Sequence, residues 1–115
     1  MSNEEIPVLD YEQGLGRFLG NDNLYKSFLK RFLQDGSEAA FQEALRAGDR
    51  EKAEKEVHTL KGTAGNLSLM RLFHAADETV QALRAGRSGE ETADLAMAVA
   101  QEKEAACRKI RALVD

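Results

Sequence analysis

The chain has two histidines and one cysteine, and His58 is the one that stands in a pattern suited to chemistry. It belongs to the run His58-Thr59-Leu60-Lys61-Gly62, which places a positive charge and a glycine one helical turn from the imidazole. An imidazole attacks a phosphoryl group through its unprotonated nitrogen, and this attack needs in-line access and positive charge near the phosphoryl oxygens. An exposed His58 beside Lys61 would meet these needs. Gly62 would remove bulk so that another molecule could reach the imidazole.

The helix that carries His58 is predicted by the cleanest apolar stripe in the chain. Asp49 is suited to its N-cap, and the stripe follows at alternating spacings of four and three residues: Ala53, Val57, Leu60, Ala64 and Leu67. At 100° per residue these positions fall within an arc of about 80°, and His58 lies about 140° from its centre. We therefore expect the imidazole to face solvent. Glu54 and Lys55, one turn before it, are expected to contact a partner, and Gly65 should add access.

The segment before this helix predicts one short and one long helix. Asp10 followed three positions later by Gln13 resembles a capping box that opens a short helix to about Leu19. Asn21 or Asp22 can cap the next helix, whose apolar positions include Leu24, Phe28, Leu29, Phe32 and Phe41. Asp35-Gly36 interrupts that pattern, which leaves either one long bent helix or two short ones. We favour one long helix that ends near Ala47.

Two more helices are predicted after the His58 helix. Ser68 can cap the first, which carries Leu69, Leu72, Phe73, Ala76, Val80 and Leu83 on one face and closes at Gly86. Ser88 with Glu91 is a second capping-box candidate and opens a last helix with inward-facing Leu95, Val99, Ala106, Ile110 and Leu113. Short connections favour antiparallel neighbours. We therefore predict an all-α fold, an up-down-up-down antiparallel four-helix bundle with a short additional N-terminal helix. Residues 1–115 form one domain, and residues 1–9 a flexible N-terminal arm.

Composition and charge narrow the possible functions. The formal charge is -4, and no block of basic residues indicates nucleic-acid binding. No apolar run of signal-peptide or transmembrane type occurs, so we expect a cytoplasmic protein that does not bind a membrane. Cys107 is the only cysteine, which excludes an internal disulfide, and we expect it to be buried. No metal-ligand pattern and no phosphate-binding loop is present, so we expect no intrinsic metal or cofactor.

The run from His58 to Leu67 resembles the phosphoacceptor signature of histidine-containing phosphotransfer (HPt) domains. Downstream Leu72, Ala75 and Ala82-Leu83 keep the spacing of such domains, and the segment from Asn23 to Leu33 resembles their preceding helix. Two positions depart from the family pattern. Ser68 stands where a further glycine is usual, and Val80 stands where some members have a polar residue near the histidine.

The resemblance implies a role for His58 and a class of partner. His58 would take a phosphoryl group from a phosphoaspartate on one receiver domain and pass it to an aspartate on another, as in response regulators and hybrid histidine kinases. Lys61 would supply positive charge and Gly62 access, and Gly65 matches a common small residue. The family domain has no ATP site, and Mg²⁺ is supplied by the receiver, so the chain would be a carrier and not an enzyme. We expect a monomer, and a free-standing protein.

Other functions compete with this interpretation. The chain could be a helical adaptor that docks receiver or kinase domains without carrying phosphate, in which case His58 would be dispensable. It could also be an acid-base enzyme built on His58 and Glu54, but a convex helix face offers no pocket that excludes water. His74 lies on another helix beside Phe73, without a metal-ligand pattern, and we expect a partly exposed packing residue.

Overall fold

The computed structural model describes residues 6 to 114, and within this range the chain forms six α-helices and no β-strand. In chain order they are α1 (Tyr11–Arg17), α2 (Asp22–Phe32), α3 (Ser37–Arg46), α4 (Arg50–Asn66), α5 (Met70–Arg84) and α6 (Gly89–Val114). The predicted all-α class is confirmed. None of the described helices combines the length and the apolar character that crossing a membrane requires.

The helices pack around one hydrophobic core. Helix α3 packs against α4, α4 against α5 and α5 against α6, while α6 also contacts α2 and α3 and so closes the bundle. Each fully buried large side chain stabilises the fold by roughly 1.5 to 3 kcal/mol. The largest of them are Tyr25, Phe41, Leu29, Leu60, Leu69, Leu72 and Ile110. A helical bundle is therefore the architecture of the chain.

The predicted long second helix is wrong, because one helix ends at Phe32 and the next begins at Ser37. The Asp35 carboxylate accepts hydrogen bonds from the backbone N–H of Ser37 at 2.9 Å and from the Ser37 hydroxyl. The Asp35 carbonyl accepts a further bond from Lys103 Nζ on α6 at 3.1 Å. These local bonds compete with the helical ladder, and Gly36 adds its own cost inside a helix. Two short helices, α2 and α3, are the result.

Four of the predicted N-caps are confirmed. In each, a side-chain oxygen accepts a hydrogen bond from the backbone N–H three residues later, at 3.0 to 3.2 Å. The pairs are Asp10 with Gln13, Asn21 with Leu24, Asp49 with Lys52, and Ser88 with Glu91. Such caps typically contribute about 1 kcal/mol each, which explains why the sequence predicted these helix starts well.

The predicted N-cap at Ser68 is wrong, because Leu69 occupies that position without a side-chain cap. Ser68 is fully buried with a positive φ of 58°, a conformation that favours glycine. Its hydroxyl donates to Gln13 Oε1 at 2.9 Å, and its carbonyl accepts from the Asp10 N–H at 3.0 Å. Ser68 therefore ties α1 to the turn between α4 and α5. The positive φ also gives a physical reason for the glycine that the resembled family usually has here.

The described part of the predicted N-terminal arm, residues 6 to 9, lies against the bundle. Residues 1–5 of the arm lie outside the described residues. From Ile6 onward the chain packs, since Arg71 Nε donates to the Ile6 carbonyl at 2.6 Å and Leu9 is a buried core residue. An apolar segment joined to α5 in this way contributes to the core instead of extending into solvent.

Two side chains that we expected in the core lie at the surface. Leu24 is 44% and Phe28 37% exposed, whereas Phe32, Phe41 and Cys107 are buried as predicted. Leu19, in the turn after α1, is 96% exposed and has a positive φ of 55°. The short α1 does not cover the outer face of α2, so the helical spacing of Leu24 and Phe28 does not bury them. Together these side chains leave an apolar surface at one end of the bundle.

Two glycines of α1 offer a matched test of its packing against α2. A Cβ at Gly14 would lie 2.0 Å from the Tyr25 hydroxyl oxygen, whereas a Cβ at Gly16 would meet nothing within 4 Å. We expect Gly14→Ala to lower the free energy of unfolding by roughly 1 to 3 kcal/mol, because the ring of Tyr25 must shift. Gly16→Ala should raise it by about 0.5 to 1 kcal/mol. Urea denaturation checks both, and equal effects of the two substitutions would contradict this packing.

The buried Tyr25 hydroxyl should make the stability of the fold depend on pH in the alkaline range. The Tyr25 side chain is fully buried and its hydroxyl donates to the Leu67 carbonyl at 2.7 Å. Burial, with help from the Asp10 carboxylate, raises the pKa of Tyr25 to about 12. Because the folded pKa lies above the ordinary value near 10, the unfolded chain releases the proton first. The stabilisation from the neutral hydroxyl is therefore complete below about pH 10 and is lost as pH rises towards 12.

Tyr25→Phe is the matched variant for this prediction, since it keeps the ring and removes the titrating group. At pH 8 we expect the wild type to exceed the variant in free energy of unfolding by about 1 kcal/mol, the usual net value of such a hydrogen bond. Urea denaturation between pH 8 and pH 11 should show this advantage shrinking. An advantage that stays constant over this range would rule out the proposed titration.

Candidate functional site

Helix α4 presents His58 to solvent. Its opposite face consists of Ala53, Val57, Leu60 and Ala64, all with 0% exposure, while His58 is exposed. Asp49 caps the start of the helix by accepting from the Lys52 N–H at 3.1 Å. Burial of one stripe fixes the rotation of the helix about its axis, and this rotation turns the imidazole outward. The predicted orientation of His58 is confirmed.

His58 lies at the edge of an open depression of about 290 Å³, which we call the His58 depression. Three helices contribute to it, α1, α4 and α5. Its lining residues are Arg17, His58, Lys61, Gly62, Gly65, Asn66 and Phe73. The structure thus brings together four of the predicted site residues, His58, Lys61, Gly62 and Gly65. It also adds a second cation, Arg17 from α1.

The two predicted access glycines differ in what surrounds them. A Cβ at Gly62 would meet nothing within 4 Å, so packing does not require glycine there. A Cβ at Gly65 would lie 3.1 Å and 3.2 Å from two ring atoms of Phe73, closer than side chains normally approach. Gly65 therefore has a packing reason, since it lets α5 come near. For Gly62, access to His58 stays our prediction, because glycine otherwise costs helix stability.

Lys61 has a partner that the sequence analysis did not identify. Its Nζ lies 2.9 Å from Asp77 Oδ1 on α5, and both side chains are a little under one-third exposed. The hydrogen bond from Lys61 is the main cause that lowers the pKa of the Asp77 carboxyl, and a bond from Gln81 at 2.9 Å contributes. This ion pair holds the ammonium near Phe73, whose ring centroid is 6.0 Å away. Lys61 is thus oriented, and its charge is partly neutralised.

Glu54 and Lys55 lie on the other side of His58. They line a second open depression of about 670 Å³ together with Asp49, Glu51, Lys52, Glu56, His58, Thr59 and Arg84. Glu54 Oε2 is 3.4 Å from Arg84 Nε in an exposed ion pair, and Lys55 is exposed. His58 therefore stands between a charged depression and the smaller His58 depression. Nothing in this arrangement assigns partner contacts to Glu54 and Lys55, which stay predictions.

A larger apolar concavity adjoins the His58 depression. This apolar basin has a volume of about 710 Å³ and is lined by Arg17, Phe18, Phe28, Arg31, Phe32, Gln34, Asp35, Thr63, Asn66 and Leu67. Phe18 and Phe28 form an aromatic pair with ring centroids 5.3 Å apart, and the Arg31 guanidinium lies 5.2 Å from the Phe28 centroid. Arg17 and Asn66 line both concavities and so mark the boundary between them.

Several residues of this surface were missed by sequence reasoning. Asp77 and Phe73 come from α5, and their approach to Lys61 depends on how α4 and α5 pack. Arg17 is one of many basic residues in the sequence. Its place in the last turn of α1 was the only feature that could have pointed to it. Val80 is buried in α5 with 1% exposure, so this departure from the family pattern adds no polar group to the site. His74 is exposed and makes an edge contact with Phe73, as predicted for a packing residue.

The described residues include no group of three or more His, Cys, Asp or Glu side chains placed to hold a metal ion. The chemistry that the side chains of the site offer is that of an exposed imidazole, with Lys61 and Arg17 lining the same depression.

Comparison with known proteins assigns the chain to a family. Neither the search of curated proteins nor the search of solved structures gave a match. The family model described as Hpt domain matches residues 27–113, which include His58, Lys61, Gly62 and all of α3 to α5. Helix α1 and the first half of α2 precede the matched range. Because the match covers most of the chain, the protein belongs to the Hpt domain family, which acts in phosphotransfer of phosphorelay signalling.

Proposed function

We propose that this protein accepts a phosphoryl group on His58 from a phosphoaspartate of one receiver domain and passes it to an aspartate of another. The observation that carries the proposal is the position of His58, an exposed imidazole on a helix whose other face is fully buried. Such a helix is held rigidly while its reactive group stays open to a partner, which favours repeated transfer between proteins.

The transfer makes and breaks bonds only between the phosphorus atom, the imidazole nitrogen and the aspartate oxygens. The unprotonated imidazole nitrogen attacks phosphorus, the P–N bond forms as the P–O bond to aspartate breaks, and the aspartate leaves as a carboxylate. The other nitrogen keeps its proton. The reverse sequence at the second receiver forms a new P–O bond and restores the neutral imidazole. Neighbouring cations stabilise the negative charge of the phosphoryl oxygens during both steps.

Lys61 and Gly62 support the transfer in different ways. The Lys61 ammonium, oriented by Asp77 at 2.9 Å, would attract the phosphoryl oxygens from beside His58. Gly62 leaves open space within 4 Å of the place where a Cβ would stand, which lets a receiver bring its aspartate close. Gly65 lets Phe73 approach and so shapes the wall of the His58 depression. In this proposal Glu54 and Lys55 contact the receiver from the opposite side.

The apolar basin would hold an apolar helix face of the receiver. It begins at the boundary of the His58 depression, and its rim includes Phe28 with 37% exposure. Leu19 and Leu24, 96% and 44% exposed, lie on the neighbouring α1–α2 segment. Exposed apolar patches on a small domain commonly mark protein interfaces. Continuity with the proposed transfer site makes a receiver the partner that this surface fits.

We infer that the chain is a phosphoryl carrier without its own ATP site, and that Mg²⁺ is held by the receiver. We also infer that it acts as a monomer in the cytoplasm.

We infer further that the helices form an up-down-up-down bundle of four positions. Helices α2 and α3 together occupy one position, and α4, α5 and α6 occupy the other three. The links before α4, α5 and α6 have only three or four residues, which favours antiparallel neighbours.

Incubation with a phosphorylated receiver domain tests the proposal. We expect the wild type to acquire an acid-labile and base-stable label, the behaviour of a phosphoramidate bond, and His58→Gln to acquire none. The receiver should lose its phosphoryl group at least about tenfold more slowly in the presence of the variant, because no nucleophile is offered. Gel separation of labelled protein checks the transfer.

His74→Gln is the matched control, since His74 is the second histidine and is also exposed on a helix. It should be labelled like the wild type. A wild type that stays unlabelled with every receiver, but binds receivers as well as His58→Gln does, would replace the relay by the adaptor function.

Gly62→Leu tests access to His58. The substitution should fold normally, because a Cβ there meets nothing within 4 Å, and helix propensity favours leucine over glycine. We expect transfer from a phosphorylated receiver to slow by about tenfold or more, the effect of about 1.4 kcal/mol at the transition state. Labelling by the small donor phosphoramidate should change far less, because a small molecule needs less room.

Gly89→Leu is the matched control, because a Cβ at Gly89 also meets open space but lies at the start of α6. It should transfer at the rate of the wild type. Equal rates for Gly62→Leu, Gly89→Leu and the wild type would remove Gly62 from the access argument.

A further inference from the structure

Arg17 lines the His58 depression although it comes from outside the family match. It stands in the last turn of α1, and the match begins only at residue 27. The same depression contains His58 and Lys61. Arg17 therefore brings to this surface a positive charge that does not belong to the matched region, residues 27–113.

The Arg17 side chain makes no hydrogen bond and no ion pair within 4.0 Å to any of residues 6 to 114. Lys61, by contrast, is paired with Asp77 at 2.9 Å. The field of a close ion pair falls off faster than that of a single charge. Lys61 therefore attracts a phosphoryl group less strongly than an unpaired lysine would. A phosphoryl group carries up to about two negative charges near neutral pH. Within residues 6 to 114, Arg17 is therefore the cation of the His58 depression that no carboxylate neutralises.

The position of Arg17 is fixed by the same turn that ends α4. The Ser68 hydroxyl donates to Gln13 at 2.9 Å, and the Ser68 carbonyl accepts from the Asp10 N–H at 3.0 Å. Gly14 packs closely over the Tyr25 ring, which leaves α1 little freedom to turn or slide. These contacts hold the end of α1 beside Asn66, the last residue of α4. The arginine therefore reaches the depression from a rigid base.

We propose that Arg17 is a phosphoryl-binding residue whose guanidinium donates hydrogen bonds to the phosphoryl oxygens once they are attached to His58. This inference rests on the proposed function, since it needs a phosphoryl group on His58. Guanidinium binds phosphate oxygens through a planar fork of N–H donors, and such charge-assisted bonds are among the strong ones. Arg17 would stabilise the phosphohistidine form, and so shift the transfer equilibrium away from the receiver.

The experiment uses the full chain phosphorylated on His58 with phosphoramidate, and compares wild type, Arg17→Gln, Arg17→Lys and Arg46→Gln. In phosphorus NMR titrations, a nearby cation lowers the pKa of the phosphoryl group, because it favours the dianion. We expect Arg17→Gln to raise that pKa and Arg17→Lys to restore it in part. With a receiver present, Arg17→Gln should reduce the equilibrium ratio of phosphohistidine to phosphoaspartate about fivefold, the effect of losing one exposed charge-assisted contact.

Arg46→Gln is the matched control, because Arg46 also stands in the last turn of its helix, α3, lines neither the His58 depression nor the apolar basin, and its loss removes the same charge. It should leave the phosphoryl pKa as in the wild type, and circular dichroism should show the same helix content for all variants. If the wild type is phosphorylated but Arg17→Gln and Arg46→Gln give equal phosphoryl pKa values, this inference is wrong and the relay function stands. A wild type that acquires no label from phosphoramidate or from a receiver would overturn both.

Discussion

The turn formed by Leu67, Ser68 and Leu69 is the constraint on which the arrangement of the site depends. The Leu67 carbonyl accepts from the buried Tyr25 hydroxyl, and Ser68 is bound to α1 through its hydroxyl and its carbonyl. The turn thus joins α1, α2, α4 and α5 at one end of the bundle. Ser68 adopts a positive φ there, which costs of order 1 kcal/mol or more. The hydrogen bond from the Ser68 hydroxyl to Gln13, which glycine could not make, offsets part of this cost.

The burial of α4 determines what the site can be. Four side chains with 0% exposure fix one face, and two of them are alanines, Ala53 and Ala64, which let neighbouring helices pack closely. The opposite face then has no packing role, so its residues are free to serve chemistry. His58 and Gly62 lie there without any contact that the fold requires. A reactive group on a buried helix keeps its position while partners come and go.

The sequence predicted well those features that depend on one helix. The stripe from Ala53 to Leu67 gave the orientation of His58, and the side-chain caps gave most helix starts, because both depend on residues three or four positions apart. The features that were missed depend on contacts between elements. Asp35 interrupts the predicted second helix with help from Lys103 on α6, and Ser68 bonds to α1. Asp77 on α5 pairs with Lys61 on α4. Periodicity carries no information on such distant partners.

The same distinction explains why the helical spacing on α2 wrongly predicted that Leu24 and Phe28 are buried. Leu24 and Phe28 follow helical spacing, but a stripe is buried only if another element covers it. Helix α1 is seven residues long and ends at Arg17, so it shields the buried Tyr25 and leaves Phe28 at the rim of the apolar basin. A longer α1 would bury more of this apolar surface. In the proposed function, a receiver covers this exposed apolar surface when it binds beside His58.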